Sequence, residues 1–248
     1  MHYLLLICSD GVPTPEKTAA MQREVPAWIE DMDERGVRLM GYALAPASAA
    51  VTVRVRDGET LATDGPFVET TEFVGGFDVI DCADLDEAIE IAARHPVSWF
   101  HCVEVRPFAG AECGGHVDGA PTIAVPTVGE IGEPPAGRQR YLLLVCADGI
   151  PESDEEQERI QRDARSWLSD VHARGVRVFG HALKDADMAT TVRVRGGETL
   201  LSDGPFVETT EFIGGFDILD CASREEAIGI AAAHPLARYH MIEVRPVD

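Results

Sequence analysis

The chain has 248 residues, room for two domains of about 100 to 130 residues that each bury a core. Its 43 Asp and Glu against 21 Lys and Arg leave a formal net charge of −22, which repels a phosphate backbone over most of the surface and argues against nucleic acid as a direct partner. The opening MHYLLLICSDG has too short an apolar run, and no basic flank, for a signal peptide or membrane span, so a cytoplasmic protein without a membrane partner is expected.

Residues 3–8 form a continuous apolar run of strand length. The stretch after it carries Met21, Val25, Trp28, Ile29 and Met32 on one helical stripe, ended by Gly36 as a left-handed cap, with Pro26 expected to kink it. A strand through Val37 to Ala43 follows. Next, VTVRVRDGETLAT alternates strictly around Asp57-Gly58, which predicts a type I′ hairpin. The motif Asp64 to Glu72, DGPFVETTE, leads into a strand from Phe73 to Asp81 opened by Gly75-Gly76. A second helix starts on the capping box Asp84 with Glu87 and stops at Pro96, and a last strand runs from Phe100 to Arg106.

The whole series then returns. DGPFVETTEFIGGFDILDC from Asp203 repeats DGPFVETTEFVGGFDVIDC from Asp64, and YLLLVCADGIP repeats YLLLICSDGVP. The second first-helix stripe is Ile160, Ala164, Trp167, Leu168 and Val171, capped at Gly175; Gly196-Gly197 makes the second hairpin turn, and Ser223 with Glu226 the second capping box. Copy 1 therefore spans 1–108 and copy 2 spans 140–248. Between them, 109–139 is a linker rich in Gly and Pro, in which TIAVPTV is expected to add a short edge strand.

Each copy reads as βαβ, hairpin, βαβ. The fold class is α+β, a ferredoxin-like plait with an inserted hairpin, built twice. Such a plait covers one sheet face with helices and leaves the other apolar face open, so the two sheets are expected to pack together as an intramolecular pseudo-dimer. Further homo-oligomerisation stays open.

The run DGPFVETTE with the following GGF and the terminal EVRP, present twice, resembles the signature of the DGPF branch of the YCII-related (YciI-like) family and covers nearly the whole chain outside the linker. The resemblance implies a dimeric α+β barrel, a cleft near the sheet, and proteins often found alongside sigma factors of the extracytoplasmic-function type. Relatives usually show Lys where Thr71 and Thr210 stand here. Classical members are thought to use a His and Asp pair with the His on the first helix. Neither copy has an inward His there; His172 is near the helix end, where the first copy has Asp33.

Among candidate site residues, Asp64 and Asp203 open the DGPF turns and read first as turn formers, then as substrate-binding groups. Glu69, Glu72, Glu208 and Glu211 leave those turns and are candidate general bases, or else solvated surface acids. Arg54, Arg56, Arg193 and Arg195 share one face of the hairpin strands, where they are expected to ion-pair with the motif carboxylates or, alternatively, to capture an anionic substrate. Arg106 and Arg245 share a face with Glu104 and Glu243. His95 and His234 precede the helix-ending Pro, where capping of the last carbonyls is expected. His101 and His240 fall in phase with the apolar positions of the last strand. They read as hydrogen-bonded core residues or, in an enzyme, as catalytic groups acting with a motif carboxylate. His181 stands where the first copy has Tyr42.

Cys8, Cys146, Cys82 and Cys221 read as buried free thiols, and Cys113 with His116 falls short of a metal site. There is no phosphate loop, dinucleotide fingerprint or activated nucleophile, so no metal or cofactor is expected. Two functions are compatible with this reading. One is a cofactor-independent lyase or isomerase moving a proton on a small metabolite; the alternative is a noncatalytic ligand-binding or regulatory module associated with transcription machinery.

Overall fold

A computed structural model of the chain describes residues 1–9, 11, 14–67, 73–110, 125–147, 153–206 and 212–248. Copy 1 supplies β1 (His2–Ser9), α1 (Pro15–Glu34), β2 (Arg38–Ala43), β3 (Val51–Arg56), β4 (Glu59–Asp64), β5 (Phe73–Asp81), α2 (Leu85–Arg94) and β6 (Cys102–Pro107). Copy 2 repeats the series as β7 (Gln139–Ala147), α3 (Asp154–Ala173), β8 (Arg177–Ala182), β9 (Thr190–Arg195), β10 (Glu198–Asp203), β11 (Phe212–Cys221), α4 (Arg224–Ala233) and β12 (Met241–Pro246).

Local signals produce these elements as expected. Gly36 and Gly175 take φ of 69° and 59° at the ends of α1 and α3, and the hairpin turns place Asp57-Gly58 and Gly196-Gly197 at positive φ. Asp84 Oδ1 accepts from the amide of Glu87, while the Glu87 carboxylate accepts from Ala83, and Ser223 with Glu226 repeats the arrangement. Pro26 sits inside α1, which runs unbroken through it.

Within each copy the four plait strands have the ferredoxin-like order, β6-β1-β5-β2 and β12-β7-β11-β8. Alternation along a strand divides the side chains between two layers. Leu4, Leu6, Phe77 and Val79 face inward and meet Leu142, Leu144, Phe216 and Ile218 of the other copy in one central core. Tyr3, Leu5, Ile80, Val103 and Val105 face outward under α1 and α2 with Trp28, Met32 and Ile91. The open sheet faces therefore cover one another, as the pseudo-dimer requires.

The hairpins depart from the sequence reading. Each one leaves its own plait and joins the other: β3 pairs with β12, with Val53 opposite Ile242, and β9 pairs with β6, with Val192 opposite Val103. Both sheets thus become six-stranded, and Val51 and Val53 complete the outer core of copy 2. The exit from β2 explains the exchange. Leu44 bridges to Val247, and the amide of Ala45 donates to the carbonyl of Pro246, so the chain leaving β2 already runs along the end of β12. Phe108 and Leu183 repeat the crossing, and the two sheets close into a barrel at both corners. In the linker, the described residues 125–128 form no strand; Val125, partly buried, packs against the central core instead.

Candidate functional site

Two kinds of site arise from this architecture. The first lies on the outside of each sheet, under the first helix. β2 carries Arg38 and Gly41, and β5 carries Asp78, the one acid in the apolar run of that strand. Arg38 Nε donates to Asp78 Oδ1 at 2.6 Å, and its Nη2 donates to the carbonyl of Gly41 at 2.8 Å. Glycine at position 41 is a packing requirement: a Cβ there would lie 1.8 Å from Asp78 Oδ1 and 2.7 Å from Arg38 Nη2. Copy 2 rebuilds the set as Arg177 on Asp217 at 2.6 Å, with Gly180 leaving the room.

His95 completes the group from the turn after α2. Its Nδ1 accepts from the amide of Val97 at 3.2 Å, which leaves the Nε2 side 3.9 Å from Asp78 Oδ2. Trp28 meets the imidazole edge to face at 4.4 Å between centroids. Burial, reinforced by the charge of Arg38, pushes His95 down to about 3, so the ring is neutral and its approach to Asp78 is not an ion pair. Burial also lifts the Asp78 carboxyl above its usual range, against the pull of Arg38. His234 matches His95: it accepts from Leu236, sits 4.0 Å from Asp217 and is pushed down to about 4 by burial. His95 and His234 do occupy the C-cap positions, where their backbone N–H groups donate to the carbonyls of Ala92 and Ala231, but the expected role of the rings is corrected. Each ring accepts from the following turn instead of complementing the helix dipole, because burial denies it the charge.

These polar groups line clefts of about 250 Å3 in copy 1 and about 190 Å3 in copy 2, walled by the helix residues Val25 and Ile29 or Ala164 and Leu168. The aliphatic wall varies conservatively between the clefts, and the polar difference falls at one pair, Tyr42 and His181. Tyr42 lines the first, and its hydroxyl is taken by Arg140 of the other copy; His181 lines the second and stacks on Phe108 at 4.7 Å.

The second site lies on the seam, where the motif turns meet the last strands. The amide of Phe67 donates to Glu243 Oε2 at 3.0 Å and that of Phe206 to Glu104 Oε2 at 2.8 Å, each across the two copies. The other oxygen of each glutamate accepts from the arginine two residues on, Arg106 at 3.1 Å and Arg245 at 3.0 Å. These ion pairs are buried, and together with Leu6, Cys8, Pro66, Phe67, Phe206 and Ile213 they surround a cavity of about 50 Å3. Arg106 Nε and Arg245 Nε are buried, with no hydrogen-bond acceptor among the described residues. An unmet buried donor costs ~1–3 kcal/mol.

The other sequence candidates are placed as follows. Glu69, Glu72, Glu208 and Glu211 lie outside the described residues, as do Cys113 and His116. Among the described residues the hairpin arginines pair with no carboxylate. Arg56 donates to the carbonyl of Arg238, and Arg195 to those of Ser98 and His101, so both tie a hairpin to the other copy's turn. Arg54 contacts Met241 Sδ, and Arg193 stacks over Phe206 at 5.6 Å. The motif turn is pinned to its hairpin by hydroxyls, with Thr52 donating to Gly65 and Thr191 to Gly204. Asp64 pairs with Arg224 at 2.8 Å on the surface, and Asp203 is exposed. His101 and His240 are buried just ahead of β6 and β12; His101 Nδ1 lies 3.5 Å from Ser9 Oγ, and neither histidine lines the clefts or the seam cavity. Cys8, Cys82, Cys146 and Cys221 are buried free thiols. No described helix is long and apolar enough to cross a membrane.

Arg38, Asp78 and their counterparts Arg177 and Asp217 are the groups that sequence reading passed over. The signal was present: RLMG and RVFG repeat an arginine three residues before a glycine, and FDVI and FDIL repeat an acid inside an apolar strand.

Paired ferredoxin-like halves with a duplicated polar cleft define the class of protein, a tandem α+β pseudo-dimer. The chain belongs to the YCII-related family, whose domain model matches residues 1–109 and again residues 141–248. It is also similar to a protein of Rhizobium meliloti (strain 1021) described as uncharacterised, 41% identical over 102 residues that cover 34% of this chain and 81% of that protein.

Proposed function

We propose that this YCII-related chain binds a small, partly apolar metabolite in its outer clefts and moves a proton on it without a cofactor, as a lyase or isomerase does. The observation that carries the reading is the duplicated Arg-Asp-His group, each with a glycine that keeps the space open and a cleft beside it. In this mechanism Asp78 takes a proton from carbon next to a substrate carbonyl, its basicity raised by burial while Arg38 fixes one oxygen. Neutral His95 donates Nε2–H to the developing enolate oxygen. Return of the proton to a neighbouring carbon completes an isomerisation; expulsion of a leaving group from the next carbon completes an elimination. The acidic surface supports a small molecule over nucleic acid as the partner.

The test is a metabolite screen in D2O, read by proton NMR for binding and for exchange of carbon-bound hydrogen. A true substrate loses a C–H signal in the presence of protein, and Asp78→Asn with Asp217→Asn abolishes the exchange. Ile29→Trp with Leu168→Trp, which fills the clefts, abolishes binding as well. Binding without exchange would support the second reading, a noncatalytic ligand-binding module; hits indifferent to both pairs of substitutions would refute the site.

A further inference from the structure

We propose that the two outer clefts take substrates of different charge, a carboxylic acid in the second and an uncharged carbonyl compound in the first, with Asp33 and His172 as the specificity-determining pair. The inference rests on the outer clefts being the binding sites and names what separates them. In copy 1, Arg38 serves two carboxylates: its Nε donates to Asp78, and its Nη1 donates to Asp33 Oδ1 at 3.4 Å, from the last turn of α1. With His95 neutral, the group keeps one net negative charge. An acid entering this cleft meets a guanidinium already shared between two anions. Copy 2 lacks the second one. Arg177 repeats the bonds to Asp217 and to the carbonyl of Gly180, but the counterpart of Asp33 is His172, which is exposed. Among the described residues Asp217 is the carboxylate that Arg177 pairs with, so the charge of the group is balanced. A substrate carboxylate there supplies the second anion that Asp33 supplies in copy 1.

The helices over the clefts extend the contrast. Residues 25–34 hold Glu30, Asp31, Asp33 and Glu34 with no Lys or Arg, whereas residues 164–173 hold Asp170 and Arg165. The same stretches supply the apolar walls, Val25 and Ile29 or Ala164 and Leu168, so the first cleft lies under the more acidic helix. The remaining ion pairs at the helix ends do not distinguish the copies: Arg35 with Asp31 and Glu87 is matched by Arg174 with Asp170 and Glu226. Exposed acids are screened by salt over about 10 Å, which leaves Asp33, in contact with the cleft arginine, as the acid that decides.

The experiment titrates the intact protein with sodium phenylacetate and with phenylacetamide, probes of nearly the same shape that differ in charge. The indole N–H signals in NMR report each cleft separately, because Trp28 packs on His95 at 4.4 Å and Trp167 on His234 at 4.7 Å; exposed Trp99 is the control. Phenylacetate is expected to move Trp167 with a Kd about tenfold below the one it shows at Trp28, and phenylacetamide to bind the two clefts within about threefold of each other. Asp33→Asn should tighten phenylacetate at the first cleft by about fivefold, and His172→Asp should weaken it at the second by about as much, neither altering phenylacetamide. Phenylacetate held equally by both clefts, or a preference that survives both substitutions, overturns the charge assignment while leaving the clefts as binding sites. Movement of neither indole with either probe removes the clefts themselves, and the assignment with them. Should a variant fail to fold, the comparison of acid with amide in the native protein decides the matter alone.

Discussion

The amide of Phe67, in the first motif turn, donates to Glu243 on the last strand of the other copy, and Phe206 repeats the bond to Glu104. Each glutamate therefore serves two groups at once, the motif turn of the opposite copy and the buried arginine of its own strand. Removing the carboxylate leaves that guanidinium buried and unpaired, which typically costs ~3–5 kcal/mol. Glu104→Ala is expected to lose stability on that scale in urea unfolding. Glu104→Ala combined with Arg106→Met should recover most of it, because an apolar pair has no charge to desolvate. A single variant within about 1 kcal/mol of the native protein would show that the ion pair contributes little.

Exchange of the hairpins predicts that the linker is dispensable for holding the halves together. β3 is laddered to β12 and β9 to β6, and the central core draws on both copies. A protease site placed within residues 111–124 and cleaved after folding should leave one particle of unchanged mass in light scattering. Dissociation into two monomers without denaturant would contradict the exchange.

Gly41 and Gly180 should be the least replaceable glycines of the sheets. Alanine at 41 drives its methyl into Asp78 and Arg38, whereas at 180 it also comes within 2.6 Å of the carbonyl of Phe216, which cannot swing aside. Losses of ~1–3 kcal/mol or more are expected, larger at 180 than at 41. Gly229, exposed within α4 with nothing near its missing Cβ, provides the contrast: alanine there should gain about 0.5–1 kcal/mol. Equal effects at all three positions would remove the packing argument for the clefts.

Most of the architecture was legible because the signals were local. Strand alternation, the glycine caps at Gly36 and Gly175, the capping boxes and the Asp57-Gly58 turn depend on residues close in sequence, and the repeat made the pseudo-dimer an expectation. The hairpin exchange was not legible, since Val53 suits β12 as well as its own plait and only the path out of β2 decides between them. The site was half legible for the same reason. Glu104 and Arg106 stand two apart on one strand, so their shared face could be read, but Arg38, Asp78 and His95 come from three elements and meet only in the fold. An aspartate in an apolar strand and a histidine before a proline each have an ordinary local explanation until distance joins them.

The buried histidines set a pH dependence whose sign follows from their neutrality. His95 falls from 6.5 to about 3 and His234 to about 4 on folding. Below pH 6.5 the unfolded chain takes up protons at these rings that the folded chain refuses, so stability present above 6.5 is lost as the pH falls toward the folded values. The loss is about 1.4 kcal/mol per histidine for each pH unit inside that window. Asp78 acts in the opposite sense. Its folded carboxyl, raised above 3.8 by burial, binds a proton before the unfolded one does, and it offsets part of the loss as the pH drops further. Between pH 7.5 and 5.5 the two histidines together should account for about 2–3 kcal/mol of lost stability. His95→Gln with His234→Gln should flatten the profile by that amount in urea titrations at the two pH values. An unchanged slope in the double variant would mean that the rings accept protons in the folded protein, and Nε2 of His95 would then face Asp78 as a cation, not as the neutral donor that the proposed proton transfer uses.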